Sequence, residues 1–171
     1  MEARDVDSRY LYLIKVKRLC LFLFPLFFGF SLLQVVCNTS MPLAVSQGRS
    51  MQPLINEGDL LLFQGVPAEE IQVGDVIIFE VPLEMRDLLP PRITHRVTEV
   101  IRDTRGIHFR TKGDNAPPDT YEVPGGKVLG MNVAIFPYVG LVFLYIQTPL
   151  GMGLILAVVL VTSGRDDSRW I

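Results

Sequence analysis

The chain has 171 residues, 49% of them hydrophobic, and a formal net charge of −2. Its mean hydropathy of +0.35 is high for a purely soluble domain, so we expect part of the chain to lie in a membrane. Between residues 40 and 136, 9 Lys and Arg stand against 13 Asp and Glu. This acidic balance, with no basic stripe, disfavours nucleic-acid binding.

The first predicted element is a transmembrane helix over residues 19–37, a stretch that carries no charge. Its length is enough to cross a hydrocarbon core of about 30 Å. A cleavable secretory signal is the alternative, but the apolar run is longer than the usual signal core of about 7–15 residues. We therefore expect an uncleaved anchor. Basic residues precede it at five positions: Arg4, Arg9, Lys15, Lys17 and Arg18.

The segment from residue 40 to 136 is predicted to be a mainly β domain, a small folded sheet or barrel. Short runs rich in Val, Ile, Leu and Phe alternate with turns that contain Gly and Asp, which is typical of strands joined by tight turns. The predicted strands cover residues 60–63, 76–81, 94–101, 107–111 and 127–136.

Two connections of this domain have specific signals. The strands at 94–101 and 107–111 are expected to form a hairpin in which Gly106 has a positive φ. The proline-rich segment 82–92 is expected to be a loop that approaches lipid. For five apolar residues, the sequence leaves open whether they anchor this face in the membrane interface or pack in the core: Met51, Leu54, Ile55, Leu88 and Leu89.

A second apolar tract, residues 141–161, is also long enough to span a bilayer, with a kink expected near Gln147 and Pro149. Arg165 and Arg169 follow it. The positive-inside rule then places residues 1–18 and the tail 163–171 in the cytoplasm, and the domain at 40–136 outside. The chain is predicted to be a two-span membrane protein.

Cysteine and histidine are too sparse for a metal or disulfide framework. Cys20 and Cys37 lie at opposite ends of the first span, about 25 Å apart along a helix, so they cannot pair within it. No Cys/His cluster suits zinc. The sequence gives no reason to expect a cofactor.

Ser50, His95 and an aspartate form a candidate catalytic set. A serine nucleophile needs a base within hydrogen-bond reach, and a histidine base needs a carboxylate to fix its tautomer and stabilise its charged form. The chain offers two histidines, His95 and His108, and two aspartates in turns, Asp114 and Asp119. Each residue considered alone is a weak signal, because a serine after glycine is usually a turn residue, the aspartates can be turn formers, and either histidine can simply be packed in or exposed on the sheet.

A Ser-Lys dyad using Lys112 is the alternative way to activate the serine. A lysine base must be desolvated and neutral. The adjacent Gly113 and Asp114, in a predicted turn, do not favour that state.

Several sequence motifs, in order along the chain, resemble signal peptidase I of the archaeal and endoplasmic-reticulum type. The similarity runs from about Val45 to Gly140, with apolar spans on either side. It rests on Ser50-Met51 with Pro53, Gly58-Asp59, Val73-Gly74-Asp75-Val76-Ile77-Ile78-Phe79, Thr94-His95-Arg96-Val97, Thr111-Lys112-Gly113-Asp114-Asn115 with Asp119, and Pro137-Tyr138-Val139-Gly140.

The resemblance implies a membrane-bound serine endopeptidase of the cell or endoplasmic-reticulum membrane. Ser50 would be the nucleophile, and His95 would stand where bacterial relatives carry a lysine. Asp114 and Asp119 match the family's two aspartates, and the resemblance favours the second as the partner of the histidine. Their spacing is one residue shorter than in the family, so which aspartate orients His95 stays open. The family usually has Ser-Gly-Ser-Met, whereas Gly48 stands two residues before Ser50 here.

The implied substrates are secretory precursors, cut after small residues at positions −1 and −3. The implied partners are signal peptides, membrane lipid and, as a candidate, the protein-export channel. Besides the Ser-Lys protease, the rival interpretation is a non-catalytic β module tethered to the membrane.

Overall fold

The structure, a computed structural model, describes residues 2–164. Its first element is the helix α1, Glu2–Val36, with Pro25 inside it. The part Val16–Val36 has a mean hydropathy of 2.3 and, among the described residues, forms the one helix long and apolar enough to cross a membrane. This agrees with the predicted N-terminal anchor. Met1 and residues 165–171 lie outside the described residues. Among them are Arg165 and Arg169, which were used to predict the orientation of the chain in the membrane.

The middle of the chain forms one antiparallel sheet of seven strands, so the predicted β class is confirmed. The strand order is β1-β2-β7-β3-β4-β5-β6. Single 3₁₀ turns at Ala68–Glu70, Leu83–Met85 and Gly125–Lys127 connect strands. The strands are β1 Leu43–Val45, β2 Leu60–Gln64, β3 Val76–Glu80, β4 Arg92–Asp103, β5 Gly106–Lys112, β6 Val123–Pro124 and β7 Val128–Phe136.

The five predicted strands correspond to β2, β3, β4, β5 and β7. The predicted hairpin is formed by β4 and β5, and Gly106 at its turn has φ +110°, as expected for a tight turn that requires a positive φ. β1 and β6 were not predicted, because strands of three and two residues are too short to show a period of two.

The sheet folds over two clusters of buried side chains. The anchor-side cluster consists of Met51, Ile55, Leu61, Phe63, Val76 and Ile78. The outer cluster consists of Ile71, Ile77, Phe79, Val81, Val97, Phe109 and Val123. Fully burying one such side chain contributes about 1.5–3 kcal/mol.

Burial decides the role of most of the apolar residues that the sequence left open. Met51 and Ile55 are core residues, with exposed fractions of 4% and 1%, so they do not anchor the domain in lipid. Leu89 packs against the outer cluster. Leu54 and Leu88 are exposed. Residues 82–91 of the predicted loop 82–92 form a loop with one 3₁₀ turn, and Arg92 is the first residue of β4.

The C-terminal apolar tract forms two helices, α2 Leu141–Ile146 and α3 Pro149–Gly164. Thr148 caps α3, because its hydroxyl accepts a hydrogen bond from the N–H of Gly151 at 3.1 Å, and Pro149 occupies the first helical position. The expected kink is therefore a complete break. The apolar part of α3, Pro149–Val161, is shorter than a span, and a second transmembrane helix stays a prediction.

Candidate active site

Ser50 lies in the turn that follows β1, on the anchor-side half of the sheet. Its neighbour Met51 is buried in the anchor-side cluster, which fixes the turn against the core. The N–H of Asn115 donates to the carbonyl oxygen of Ser50 at 2.7 Å, and Nδ2 of Asn115 donates to that of Arg49 at 3.3 Å. The loop after β5 therefore holds the serine from the other half of the sheet.

His95 lies in β4, where it is paired with Ile77 of β3, and its side chain is buried. Its Nε2 is 3.2 Å from Oγ of Ser50, and its Nδ1 is 2.8 Å from Oδ2 of Asp119. Because a carboxylate only accepts, Nδ1 must donate to it, and in the neutral ring Nε2 is then free to accept from the serine hydroxyl. The three side chains form one hydrogen-bonded chain.

Asp119 is held in place by Thr111 of β5. The Thr111 hydroxyl donates to Oδ2 of Asp119 at 2.6 Å, and the N–H of Asp119 donates to the carbonyl oxygen of Thr111 at 3.0 Å. Thr111 has an exposed fraction of 0%. The sequence places Thr111 in the same motif as Asp114 but does not indicate this role, although its position on the same face of β5 as the buried Phe109 is a usable signal.

Asp114, the second candidate aspartate, binds Arg96 instead of His95. Arg96 donates from Nε to Oδ1 at 2.8 Å and from Nη2 to Oδ2 at 2.7 Å, and its Nη1 donates to the carbonyl oxygen of Gly74 at 2.7 Å. The hydrogen bonds from Arg96 lower the pKa of the Asp114 carboxyl, and those to Asp114 raise the pKa of Arg96. The geometry thus separates the two aspartates: one contacts the imidazole, and the other fastens the loop.

Gly113 allows this loop to approach Ser50 closely. A Cβ at residue 113 would lie 2.6 Å from the carbonyl oxygen of Ser50, 2.9 Å from Cβ of Ala116 and 3.0 Å from Nε2 of His95. These distances are shorter than van der Waals contact. Only glycine fits here without moving the serine or the histidine.

The motifs Gly58-Asp59 and Pro137-Tyr138-Val139-Gly140 hold together the elements next to the turn that carries Ser50. Buried Asp59 accepts hydrogen bonds from the N–H of Asn56 at 2.8 Å and from that of Tyr138 at 3.0 Å. A Cβ at Gly140 would lie 2.6 Å from Cγ1 of Val45. These contacts join β1, β2 and the start of α2.

His108 and Lys112 do not join the candidate site. Nε2 of His108 is 3.9 Å from Oδ1 of Asp103, at the tip of the β4–β5 hairpin. Lys112 lines a separate cleft with Pro53, Leu54, Arg96, Thr98, Gly113 and Asp114.

Tyr121 is a further titratable neighbour of the site. Its ring packs edge-on against Phe79, with ring centroids 6.3 Å apart. Burial, together with the charge of Asp119, raises the pKa of Tyr121 to about 12. The phenol therefore stays neutral in the pH range in which proteins normally work.

A cleft of about 410 Å³ leads to Ser50 and His95. One side is β1, which within residues 2–164 is an edge strand paired with β2 alone. The other side is the first part of β4, because β5 pairs with β4 from Arg96 onward. Both edges therefore carry backbone groups that an extended peptide can pair with. Apolar side chains from both sides line the cleft, among them Ala44, Val45, Met51, Ile78 and Ile93.

A hydroxyl, an imidazole and a carboxylate in this order, beside a cleft with two free strand edges, define the class of serine hydrolases that act on extended peptides. Sequence comparison places the chain among serine endopeptidases. No family model matches the chain.

Curated relatives are signal peptidases. The signal peptidase complex catalytic subunit SEC11 of Komagataella phaffii is 31% identical over 148 residues, which covers 78% of this chain and 83% of the relative. The corresponding subunit of Schizosaccharomyces pombe is 25% identical over 160 residues, covering 78% and 82%. Signal peptidase I W of Bacillus subtilis is 33% identical over 92 residues, covering 53% and 40%. The chain belongs to the signal peptidase I family of serine endopeptidases.

Proposed function

We propose that the protein is a membrane-bound endopeptidase that removes signal peptides from secretory precursors after small residues at −1 and −3. The single observation that carries the proposal is the hydrogen-bonded chain of Ser50, His95 and Asp119 at the end of the cleft. The relatives are named for signal peptide cleavage, which supports the substrate class. Signal peptides and membrane lipid are the proposed partners, with the export channel a further candidate.

Ser50 is the proposed nucleophile and His95 the proposed base. Oγ attacks the scissile carbonyl carbon as its proton passes to Nε2, the amine leaves with that proton, and an acyl-enzyme on Ser50 results. Water, deprotonated by Nε2, then releases the signal peptide. Asp119 stabilises the imidazolium in both steps because it accepts from Nδ1.

The backbone N–H of Ser50 is the proposed donor to the oxyanion. Position 48 is a glycine with φ +93°, so no side-chain hydroxyl from that position reaches the oxyanion. Losing one such donor costs on the order of 10² to 10³ in kcat. This chain is therefore expected to be slower in its chemical step than a relative that has serine there.

The lining of the cleft supports the preference for small side chains. A peptide that adds to the edges of β1 and β4 alternates its side chains, so the residues at −1 and −3 face the same wall. That wall consists of branched apolar side chains, including Val45, Ile78 and Ile93. Shallow apolar pockets accept Ala and reject larger or charged residues.

A Ser-Lys mechanism through Lys112 is less well supported, because Lys112 lines the separate cleft beside Arg96 and Asp114. We also propose that the chain spans the membrane twice. The domain at 40–136 then lies on the outer side of a cell or endoplasmic-reticulum membrane.

The test compares detergent-solubilised wild type, Ser50→Ala and Ser40→Ala on a labelled secretory precursor. Ser40 is exposed and outside the cleft, so it is the matched control. Wild type and Ser40→Ala should cut after a small residue, and Ser50→Ala should lose about 10⁴-fold or more in kcat. Cleavage by Ser50→Ala at the wild-type rate would overturn the assignment of the nucleophile. Cleavage by none, with a known peptidase active on the same precursor, would favour the non-catalytic module.

A further inference from the structure

The end of α1 is closed by a defined capping motif. After Val36, the last helical residue, Asn38 adopts a left-handed conformation with φ +49°. The N–H of Asn38 donates to the carbonyl oxygen of Val35 and that of Thr39 to Gln34, both at 3.1 Å. This is the Schellman pattern, and it fixes the direction in which the chain leaves the helix.

Residues 37–39, which follow α1, are docked on the sheet by hydrogen bonds. The N–H of Gly65, directly after β2, donates to the carbonyl oxygen of Cys37 at 2.8 Å, and the Thr39 hydroxyl donates to that of Leu129 in β7. Cys37 and Thr39 are each only 8% exposed. A Cβ at residue 65 would overlap the carbonyl oxygen of Asn38, so the junction needs glycine there.

From Pro42 to Ser46 the chain that leaves this junction is paired with β2 and the residues next to it. The N–H of Phe63 donates to the carbonyl oxygen of Pro42 at 2.8 Å, β1 is paired with β2, and the N–H of Ser46 donates to that of Asp59 at 2.8 Å. The carbonyl oxygen of Ser50 is held by Asn115. Hydrogen bonds therefore connect the end of α1 to β1 and β2, and β1 leads directly into the turn that carries Ser50.

We propose that this docked junction, residues 37–39 with Gly65 and Leu129, sets the height of Ser50 above the membrane and so selects precursors by spacer length. The spacer is the polar segment between a precursor's apolar core and its scissile bond. The inference rests on the proposed function and on α1 as the anchor. It assigns a substrate-selecting role to residues outside the cleft.

The selection follows from the geometry of the spacer. An extended residue spans about 3.3 Å. If the spacer is one residue too short, the scissile carbonyl therefore stops about 3.3 Å before it reaches Oγ of Ser50. The precursor must then withdraw apolar residues from lipid, which is unfavourable. A spacer that is too long loses only loop-closure entropy, which grows slowly with length. A rigid junction therefore imposes a sharp lower limit and a gradual upper one.

The test uses Gly65→Ala and Thr39→Val to loosen the junction. Thr39→Ser keeps the hydroxyl, and Gly126→Ala is the matched control because an added Cβ there meets no atom within 4 Å. Full-length proteins in lipid vesicles are given precursors with spacers of about three to nine residues, roughly 10–30 Å when extended. A short soluble peptide with the same cleavage site and no apolar core reports whether the active site is intact.

We expect wild type, Thr39→Ser and Gly126→Ala to share one minimal spacer. In Gly65→Ala and Thr39→Val the domain can tilt toward the bilayer, so the minimal spacer should shorten by about one to two residues, roughly 3–7 Å. Cleavage of the soluble peptide should be unchanged. If Gly65→Ala fails to fold and loses that activity, the pair Thr39→Val and Thr39→Ser carries the test.

Two other results would overturn the inference in different ways. An unchanged minimal spacer in both loosened variants, with normal peptide cleavage, would reject the role of the junction and leave the proposed function intact. No cleavage of precursor or peptide by wild type would reject the proposed function, and the role of the junction with it.

Discussion

The hydroxyl of Thr111 lies 2.6 Å from Oδ2 of Asp119, the same oxygen that lies 2.8 Å from Nδ1 of His95. Asp119 is thus held by a donor from β5 while it holds the imidazole on β4. Thr111 is not among the residues that line the cleft. It is a positioning residue for the carboxylate, and it acts on the reaction only through Asp119.

Thr111→Val should lower kcat by about tenfold to 10²-fold and change KM little. The substitution keeps the shape and removes one hydrogen bond to a charged group, a loss of about 1.5–3 kcal/mol. Thr111→Ser should restore kcat because it restores the donor. Steady-state kinetics on a labelled peptide give both constants, and a change confined to KM would contradict the positioning role.

Asp119→Asn and Asp114→Asn should differ strongly in activity. The first substitution removes the carboxylate that faces Nδ1, and comparable losses of the orienting aspartate reduce kcat by about 10⁴. The second acts on Arg96 and the loop, so we expect a loss of less than about tenfold. Single-turnover rates on the same precursor decide between them. The reverse order would assign the role to Asp114.

The Arg96–Asp114 pair should make stability depend on acid pH. The pKa of Asp114 is lowered in the folded protein, so its contribution is present above the unfolded pKa of about 3.9 and is lost as pH falls through the lower folded value. Because the pair is partly exposed, we expect Asp114→Asn to cost about 1 kcal/mol at pH 7. Urea unfolding at pH 7 and at lower pH should show that the difference from wild type closes below about pH 4. A difference that persisted undiminished at pH 2 would argue against the ion pair.

Gly113→Ala should reduce activity far more than it reduces stability. The added Cβ has to displace Ser50, Ala116 or His95, and a shift of about 1 Å in reacting groups can cost about 10²-fold in rate. Gly126→Ala again serves as the control, since its Cβ has open space. Thermal unfolding monitored by circular dichroism would distinguish a misplaced site from an unfolded domain. Wild-type activity in Gly113→Ala would show that the loop after β5 can move away from Ser50 and His95 without a loss of catalysis.

The β architecture was predictable because its strands are marked locally. Val76–Glu80 is a continuous apolar run between turns, and Gly106 marks the hairpin through its backbone conformation. Ser50, His95 and Asp119 were also proposed together from the sequence, and the structure brings them within hydrogen-bonding distance. Their catalytic roles stay predictions.

What the sequence could not provide depends on distant pairings. β1 is recognisable through its pairing with β2, and the positioning role of Thr111 through its hydrogen bond to a side chain eight residues further along the chain. The spacing of Asp114 and Asp119 did not say which carboxylate turns toward His95, because that depends on Arg96 competing for one of them. The break before Pro149 was expected as a kink, since the capping role of Thr148 depends on side-chain geometry.

Ser50 lies in the turn whose next residue, Met51, belongs to the anchor-side cluster, whereas His95 lies in β4, whose Val97 belongs to the outer cluster. A peptide paired with both β1 and β4 would act as an extra strand that ties the two halves together. The bound enzyme would then open less often than the empty one, so peptide inhibitors should protect it from heat and from proteolysis. The reactive serine and its base would be least well held together when no substrate is present.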